Sequence, residues 1–354
     1  MSGQTIRYFT RGNTAKGFYS LLETNLQGIE QLFILDGGTE VDRKVCMQQL
    51  AERCREQGMS IELIHCASDP DTLEGIIMPD KQAAVYAFGF SNKEATGVNT
   101  QSISIPERKP LSDQAALEIA ELEEKADTAT AKAYTCFRKA LDVHDEWEHI
   151  YIQVLDQRKA NQLTASIIQQ LIPPNDKKKT SAVSKHRFLG AATPRGAVDF
   201  INNLTHDLNH RYFIKGRPGS GKSTMMKKIA AAAEEQGYDI EVYHCGFDPN
   251  SVDMVIVREL DFAIFDSTAP HEYFPSKPSD SIIDLYEEII EEGTDEKNVA
   301  KINDVADQYS TLMKTATRYL AESKQYKDQI ETLYEKRKDP TIVSHVCHHI
   351  LQKI

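Results

Sequence analysis

The stretch GRPGSGKST at 216–224 holds three glycines, a lysine and three hydroxyls and fits the order G-x-x-x-x-G-K-[ST]. A loop running Gly216, Arg217, Pro218, Gly219, Ser220, Gly221 can turn its backbone N–H groups inward as an anion nest. The helix N-terminus that follows adds partial positive charge, a setting made for phosphate oxygens. Lys222 would bring a full charge to a β- or γ-phosphate, and the Ser223 hydroxyl is a hard oxygen ligand suited to magnesium. Thr224 reads as support for the helix, and Arg217 as a direct phosphate contact. The run DFAIFD ends in Asp266, 44 residues after Lys222, where a carboxylate at the end of a neighbouring strand would join Ser223 on the metal. A strand-end aspartate capping its own turn is the structural alternative. In the next residues, STAPH, Thr268 and His271 would lie near the phosphates, His271 either moving a proton and positioning water or simply packing.

These residues need a strand before the loop and a helix after it, and the chain supplies that unit twice. EQGMSIELIHCASDP at 56–70 matches EQGYDIEVYHCGFDP at 235–249 at nine of fifteen positions, an offset of 179 residues. The same offset maps Thr14 and Gly17 onto Thr193 and Gly196, and Arg158 and Lys159 onto Arg337 and Lys338. Two copies are expected, 1–176 and 180–354, joined by the polar stretch 173–185, in which Lys177, Lys178 and Lys179 read as solvated linker. Within each copy, apolar runs alternate with helix-favouring stretches: LFIL or YFI, then IELIHC or IEVYHC, then AAVYAF or DFAIF. The expected fold class is α/β, a parallel sheet in a three-layer αβα arrangement. Helical extensions follow at about 110–172 and about 279–354. The second carries Ile302, Val305, Tyr309, Leu312, Ala316, Tyr319, Tyr326, Ile330 and Leu333 at steps of three and four, skipping Ser323, and predicts an antiparallel helical hairpin. Ala126, Ala133, Ala140, Trp147 and Val154 echo it in the first copy.

Through GRPGSGKST and DFAIFD the chain resembles the P-loop NTPase superfamily, and looks most like a group of bacterial tandem P-loop ATPases with nucleotide-kinase-like character. The resemblance implies a Walker A loop, a Walker B carboxylate and Mg-ATP, with Mg2+ as cofactor and ATP as ligand. No LSGGQ-type stretch is present, and NKEA at 92–95 lacks the aspartate of a guanine-reading motif, so ATP is favoured over GTP. The leading expectation is an ATPase. A phosphotransferase acting on a small acceptor such as a nucleoside or nucleotide, with Asp248 or His271 near it, stands beside it. So does a non-catalytic ATP-gated protein that recruits a protein partner.

The first copy departs where the chemistry would be. Its loop, DGGTEVDRKV at 36–45, keeps Gly37 and Gly38 but has Glu40 and Asp42 where phosphates would sit, and Ala87 stands in place of Asp266. One active nucleotide site, in the second copy, is the consequence, with Lys44 not expected to substitute and the copies packing as an intramolecular pseudo-dimer. The pairs His65-Cys66 and His244-Cys245 persist in both copies and read as structural, with an acceptor pocket of His244, Cys245 and Asp248 as the sharper alternative. His345, His348 and His349 have metal-binding spacing but read as a polar helix face, because the first copy has Ser166, Gln169 and Gln170 there. Arg337 and Lys338 read either as a charge clamp or as an exposed helix end, and Arg195 lies near the loop in sequence.

Composition sets the outer bounds. The 354 residues carry 41 basic and 53 acidic side chains, a net charge of −12 that disfavours non-specific nucleic-acid binding. No apolar run is long enough for a membrane span, and MSGQTIRYFT lacks the regions of a signal peptide, so a cytoplasmic protein is expected. Six scattered cysteines without a CxxC pair predict reduced thiols.

Overall fold

The computed structural model describes residues 3–88, 97–106, 111–175, 182–335 and 340–354. Lys177 to Lys179, NKEA at 92–95, Arg337 and Lys338 lie outside the described residues. The first half contains β1 (Thr5–Tyr8), β2 (Arg11–Thr14), β3 (Gly17–Ser20), β4 (Gln31–Gly37), α1 (Glu40–Glu56), β5 (Ile61–Cys66), β6 (Asp69–Met78), β7 (Ala83–Tyr86) and β8 (Asn99–Ile105). Two helices follow, α2 (Asp113–Ile152) and α3 (Gln157–Leu171). The second half repeats the order as β9 (Ser184–Phe188), β10 (Gly190–Thr193), β11 (Gly196–Asp199), α4 (Ile201–Thr205), β12 (His210–Lys215), α5 (Lys222–Glu235), β13 (Ile240–His244), β14 (Val252–Val257), β15 (Phe262–Asp266) and β16 (Ser281–Asp284). It closes with α6 (Leu285–Ile289), α7 (Thr294–Glu335) and α8 (Pro340–Lys353).

Each half builds a six-stranded sheet of the same order, β1-β5-β6-β7-β4-β8 and β9-β13-β14-β15-β12-β16. The sheets are mixed, which corrects the expectation of parallel strands throughout: β6 and β14 run antiparallel to both neighbours. Too few residues separate β13 from β14 for a parallel crossover, so the chain can only turn back as a hairpin. The turn between β2 and β3 recurs between β10 and β11. In one, Thr14 Oγ donates to the Gly17 carbonyl at 2.7 Å; in the other, Thr193 Oγ donates to Gly196 at 2.8 Å.

Layering differs from the expected αβα order as well. Phe33, Leu35, Leu63 and Val85 on the outer face of the first sheet are buried with Cys46, Met47 and Leu50 of α1. Ile214, Val242, Val255 and Ile264 do the same in the second sheet with Met225, Met226 and Ile229 of α5. The alternate residues of both sheets share one core, in which Leu32, Ile64, Ile77 and Tyr86 are clustered with Phe213, Tyr243, Met254 and Phe265. The layers therefore run helix, sheet, sheet, helix. Among the described residues each half has one long helix between strands, enough to cover one face, and the other half shields the second face from water.

The halves meet on a pseudo-two-fold axis. Phe9 and Phe188, related by the repeat offset, exchange backbone hydrogen bonds at 3.1 and 2.8 Å. Beside them Arg187, 1% exposed, pairs with Glu62 at 2.7 Å and Glu241 at 3.1 Å and lies over the ring of Tyr8. Tyr8 is the repeat counterpart of Arg187, and Glu62 that of Glu241.

The helical extensions are exchanged between halves. α2 and α7 are single long helices, and each packs antiparallel on the other instead of folding into the hairpin expected within one copy. Thr130 meets Ser323 at 2.9 Å near one end of the seam, and Tyr151 donates to Asp295 at 2.8 Å at the other. Ser323, the skipped step, is buried in this seam. α3, from the first half, covers α5 of the second with Ile167 and Leu171. α8, from the second half, covers α1 of the first with Val343, Val346, Cys347 and Ile350. No described helix is long and apolar enough to cross a membrane. All six cysteines are unpaired.

Candidate functional site

The loop 216–221 leaves β12 at the edge of a cavity of about 1060 Å³. Gly219 and Gly221 take left-handed φ of 76° and 85°, which L side chains rarely adopt. At Gly219 a Cβ would also sit 2.4 Å from the Glu148 carbonyl oxygen, so the loop is pressed against α2 of the first half. α5 starts at Lys222 with Gly221 as N-cap and no side chain capping it, so its first N–H groups face the loop. The Ser220 hydroxyl is 1% exposed and has no hydrogen-bond partner. A buried orphan of this kind calls for a ligand oxygen.

Lys222 Nζ lies 3.0 Å from the Arg217 carbonyl and 3.6 Å from Asp266 Oδ2. Asp266 ends β15, directly beside β12, and its Oδ1 accepts from the Thr268 N–H at 3.0 Å and hydroxyl at 2.6 Å. That turn fixes one oxygen and leaves Oδ2 toward the lysine. Ser223 Oγ accepts from the Val252 N–H at 2.9 Å. Thr224 is exposed and, like Gly216 and Pro218, lines the cavity. The donor set of Ser223 hydroxyl and Asp266 carboxylate fits a hard divalent cation such as Mg2+.

The structure brings His271 into the same cavity. Its Nδ1 is 2.8 Å from Asp199 Oδ2, and Tyr273 donates to the other oxygen at 2.7 Å. Burial disfavours the imidazolium, but the hydrogen bond and charge of Asp199 outweigh it and raise the His271 pKa. Arg217 is held by Asp295 of α7, at 2.8 and 3.0 Å, over the ring of Tyr286, instead of resting free for phosphate. Arg195 is drawn to Asp71 of the first half, at 2.9 and 3.0 Å. His244 does not line the cavity; its Nδ1 meets the Pro249 carbonyl at 2.7 Å and its Nε2 meets His186 at 2.8 Å. His65 makes the same bond to Pro70 at 2.8 Å, which fits a structural role for this pair. Cys245 and Asp248 do line the cavity. His345, His348 and His349 are exposed on α8.

Several lining groups went unread in the sequence. Asp253 on β14 faces Asp266, Lys222 and His271, and burial followed by the charge of Asp266 pushes its pKa up to about 6. The signal was present: a carboxylate interrupts the apolar strand VDMVIV, and Glu74 interrupts its counterpart LEGIIM. From α2 come His144, Asp145, Trp147 and Glu148, and from α7 comes Tyr309. The ligand atoms of His144, Asp145 and Glu148 lie within 4.8 Å of one another. Only the exchange of helices places them here, and no local pattern announces it.

At the matching place in the first half the nest is gone. α1 starts at Glu40, and Thr39 and Asp42 close a capping box over its N-terminus. Arg43 folds back on the Gly37 carbonyl at 2.8 Å. Lys44 pairs with Glu331 of α7, with Asp69 at 3.4 Å and with Glu40 at 3.5 Å, while Lys324 reaches Asp69 at 3.3 Å. The position is filled by the protein's own charges.

Comparison with known proteins found no similar family model, no curated sequence match and no solved structure of matching fold.

Proposed function

We propose that this protein binds Mg-ATP in the second half and cleaves the γ-phosphate there, with the first half serving as wall and support. The observation that carries this reading is the open α5 N-terminus: a glycine loop without a side-chain cap, an unpartnered Ser220 hydroxyl, and Lys222 beside Asp266. The equivalent helix of the first half caps itself. In this reading the loop N–H groups and Lys222 hold the phosphates, Ser223 and Asp266 hold Mg2+, and the metal supplies charge neutralisation at the transferring phosphoryl group. Asp253 accepts the proton of the attacking hydroxyl or water. His271, fixed by Asp199, offers a hydrogen bond to the γ-phosphate side of the cavity.

ADP release measured with and without Mg2+ tests the assignment. Asp266→Asn should bind ATP within about threefold of wild type and lose magnesium-dependent turnover by on the order of a hundredfold or more. Unchanged turnover would remove Asp266 from the chemistry. A phosphotransferase is the second reading, favoured by the volume: about 1060 Å³ is at the upper end for small-molecule sites, with room for a nucleotide and an acceptor.

A further inference from the structure

The part of the cavity walled by α2, α7 and the β13–β14 turn has a chemistry opposite to that of the phosphate loop. Asp145, Glu148 and Asp248 all line it. Among the described residues no lysine or arginine lies within ion-pair distance of any of the three. His144, 3.8 Å from Glu148, is held below its ordinary pKa by burial. Around these carboxylates stand aromatic rings: Phe247 and Tyr309 lie 5.7 Å apart, His144 is 5.6 Å from Tyr309 and 6.2 Å from Phe247, and Trp147 is 6.3 Å from Tyr309. The buried, unpartnered Ser220 hydroxyl lines the same cavity from the glycine loop.

The repeat supplies an internal control. The counterpart of Asp248 is Asp69, which is neutralised by Lys44 and Lys324. The repeat counterparts of those two lysines are Ser223 and, on α2 of the first half where it walls this cavity, Asp145. Both cations are therefore missing from the open cavity, and one is replaced by a further carboxylate. A ligand that supplies positive charge would restore the balance, and aromatic faces favour an ammonium group. A phosphorylated or carboxylated acceptor would meet three negative side chains.

We propose that this compartment binds a small amino alcohol, carrying both an ammonium group and a hydroxyl, as acceptor of the γ-phosphate. The proposal rests on the ATP site described above. The acceptor oxygen forms the new bond to the γ-phosphorus, and the bond from that phosphorus to the β,γ-bridging oxygen breaks. ADP leaves with its electron pair, while the hydroxyl proton passes to the Asp253 carboxylate. The ammonium group stays between Asp145, Glu148 and Asp248 and takes no part in the chemistry.

The test uses full-length protein with Mg-ATP and three sets of probes: ethanolamine, choline and glucosamine; glycerol and glucose; glycerol 3-phosphate and uridine monophosphate. ADP and phosphorylated product are followed by coupled assay and phosphorus NMR. At least one ammonium probe should be phosphorylated with a KM tenfold or more below that of any neutral probe, and Asp145→Lys should raise that KM tenfold or more. Lys222-dependent ATP cleavage without preference for the ammonium set overturns this inference and leaves the ATP site standing. Absence of ATP binding overturns the ATP site instead. Calorimetric titration of the same probes without nucleotide then decides the charge preference of the compartment, and equal or absent binding of the ammonium set overturns it.

Discussion

At the scale of single residues, the account turns on which charges are free and which are already paired. Lys222 bonds a carbonyl and lies 3.6 Å from Asp266, whereas Lys44 is locked among three carboxylates. Asp253 is the group whose environment most resembles that of a general base, its pKa raised to about 6 by burial and by Asp266. It must be ionised to accept a proton, so kcat/KM should fall as pH drops through about 6. Asp253→Asn should lower the rate on the order of a hundredfold and remove that limb of the profile. A pH profile shared by variant and wild type would remove Asp253 from the mechanism. The type and spacing of Gly216 to Thr224 were legible because the backbone demands of a glycine-rich loop before a helix are local. Asp253 was missed because its role depends on what three neighbouring strands bring to it. The pairing of Arg217 was not legible for a similar reason: its partner Asp295 lies at the start of a helix 78 residues further on.

At the scale of elements, the long helices give the second half its cavity wall and deny one to the first. Apolar stripes at 126–154 and 302–333 announced amphipathic helices, but a stripe states only that a face needs a partner. That α2 would choose α7 across the repeat, and α3 and α8 would be exchanged, is set by the shape of the assembled sheets. Wall and loop meet at Gly219, which packs against the Glu148 carbonyl. Gly219→Ala would place a Cβ 2.4 Å from that oxygen and force a left-handed φ that costs about 1–2 kcal/mol by itself. Nucleotide affinity measured by fluorescence titration should fall at least tenfold, with a lower melting temperature. Affinity equal to wild type would show that α2 does not brace the loop.

At the scale of the whole molecule, the repeat was plain in the sequence and its consequence was not. The offset of 179 residues predicts two like folds, and both sheets have the same strand order. A sequence with apolar residues on both faces of its strands asks for cover on both sides, and helices were the natural guess. The second sheet provides it instead, with Arg187 bridging the two sheets at the axis. Removing that guanidinium by Arg187→Ala leaves the buried Glu62 carboxylate with only the Tyr8 hydroxyl, while Glu241 keeps Arg258 at 2.6 Å. Chemical denaturation should show a loss of about 3–5 kcal/mol, the usual cost of breaking a buried pair from one side. A loss under about 1 kcal/mol would mean that water reaches the axis and the halves are less closely joined than described.

The central claim is that one half works on nucleotide and the other supports it. ADP formation from Mg-ATP, compared among wild type, Lys222→Ala and Lys44→Ala, addresses it most directly. The account predicts that Lys222→Ala abolishes binding and turnover while Lys44→Ala keeps turnover within about threefold of wild type. Equal losses at the two positions, or turnover that survives Lys222→Ala, would contradict it.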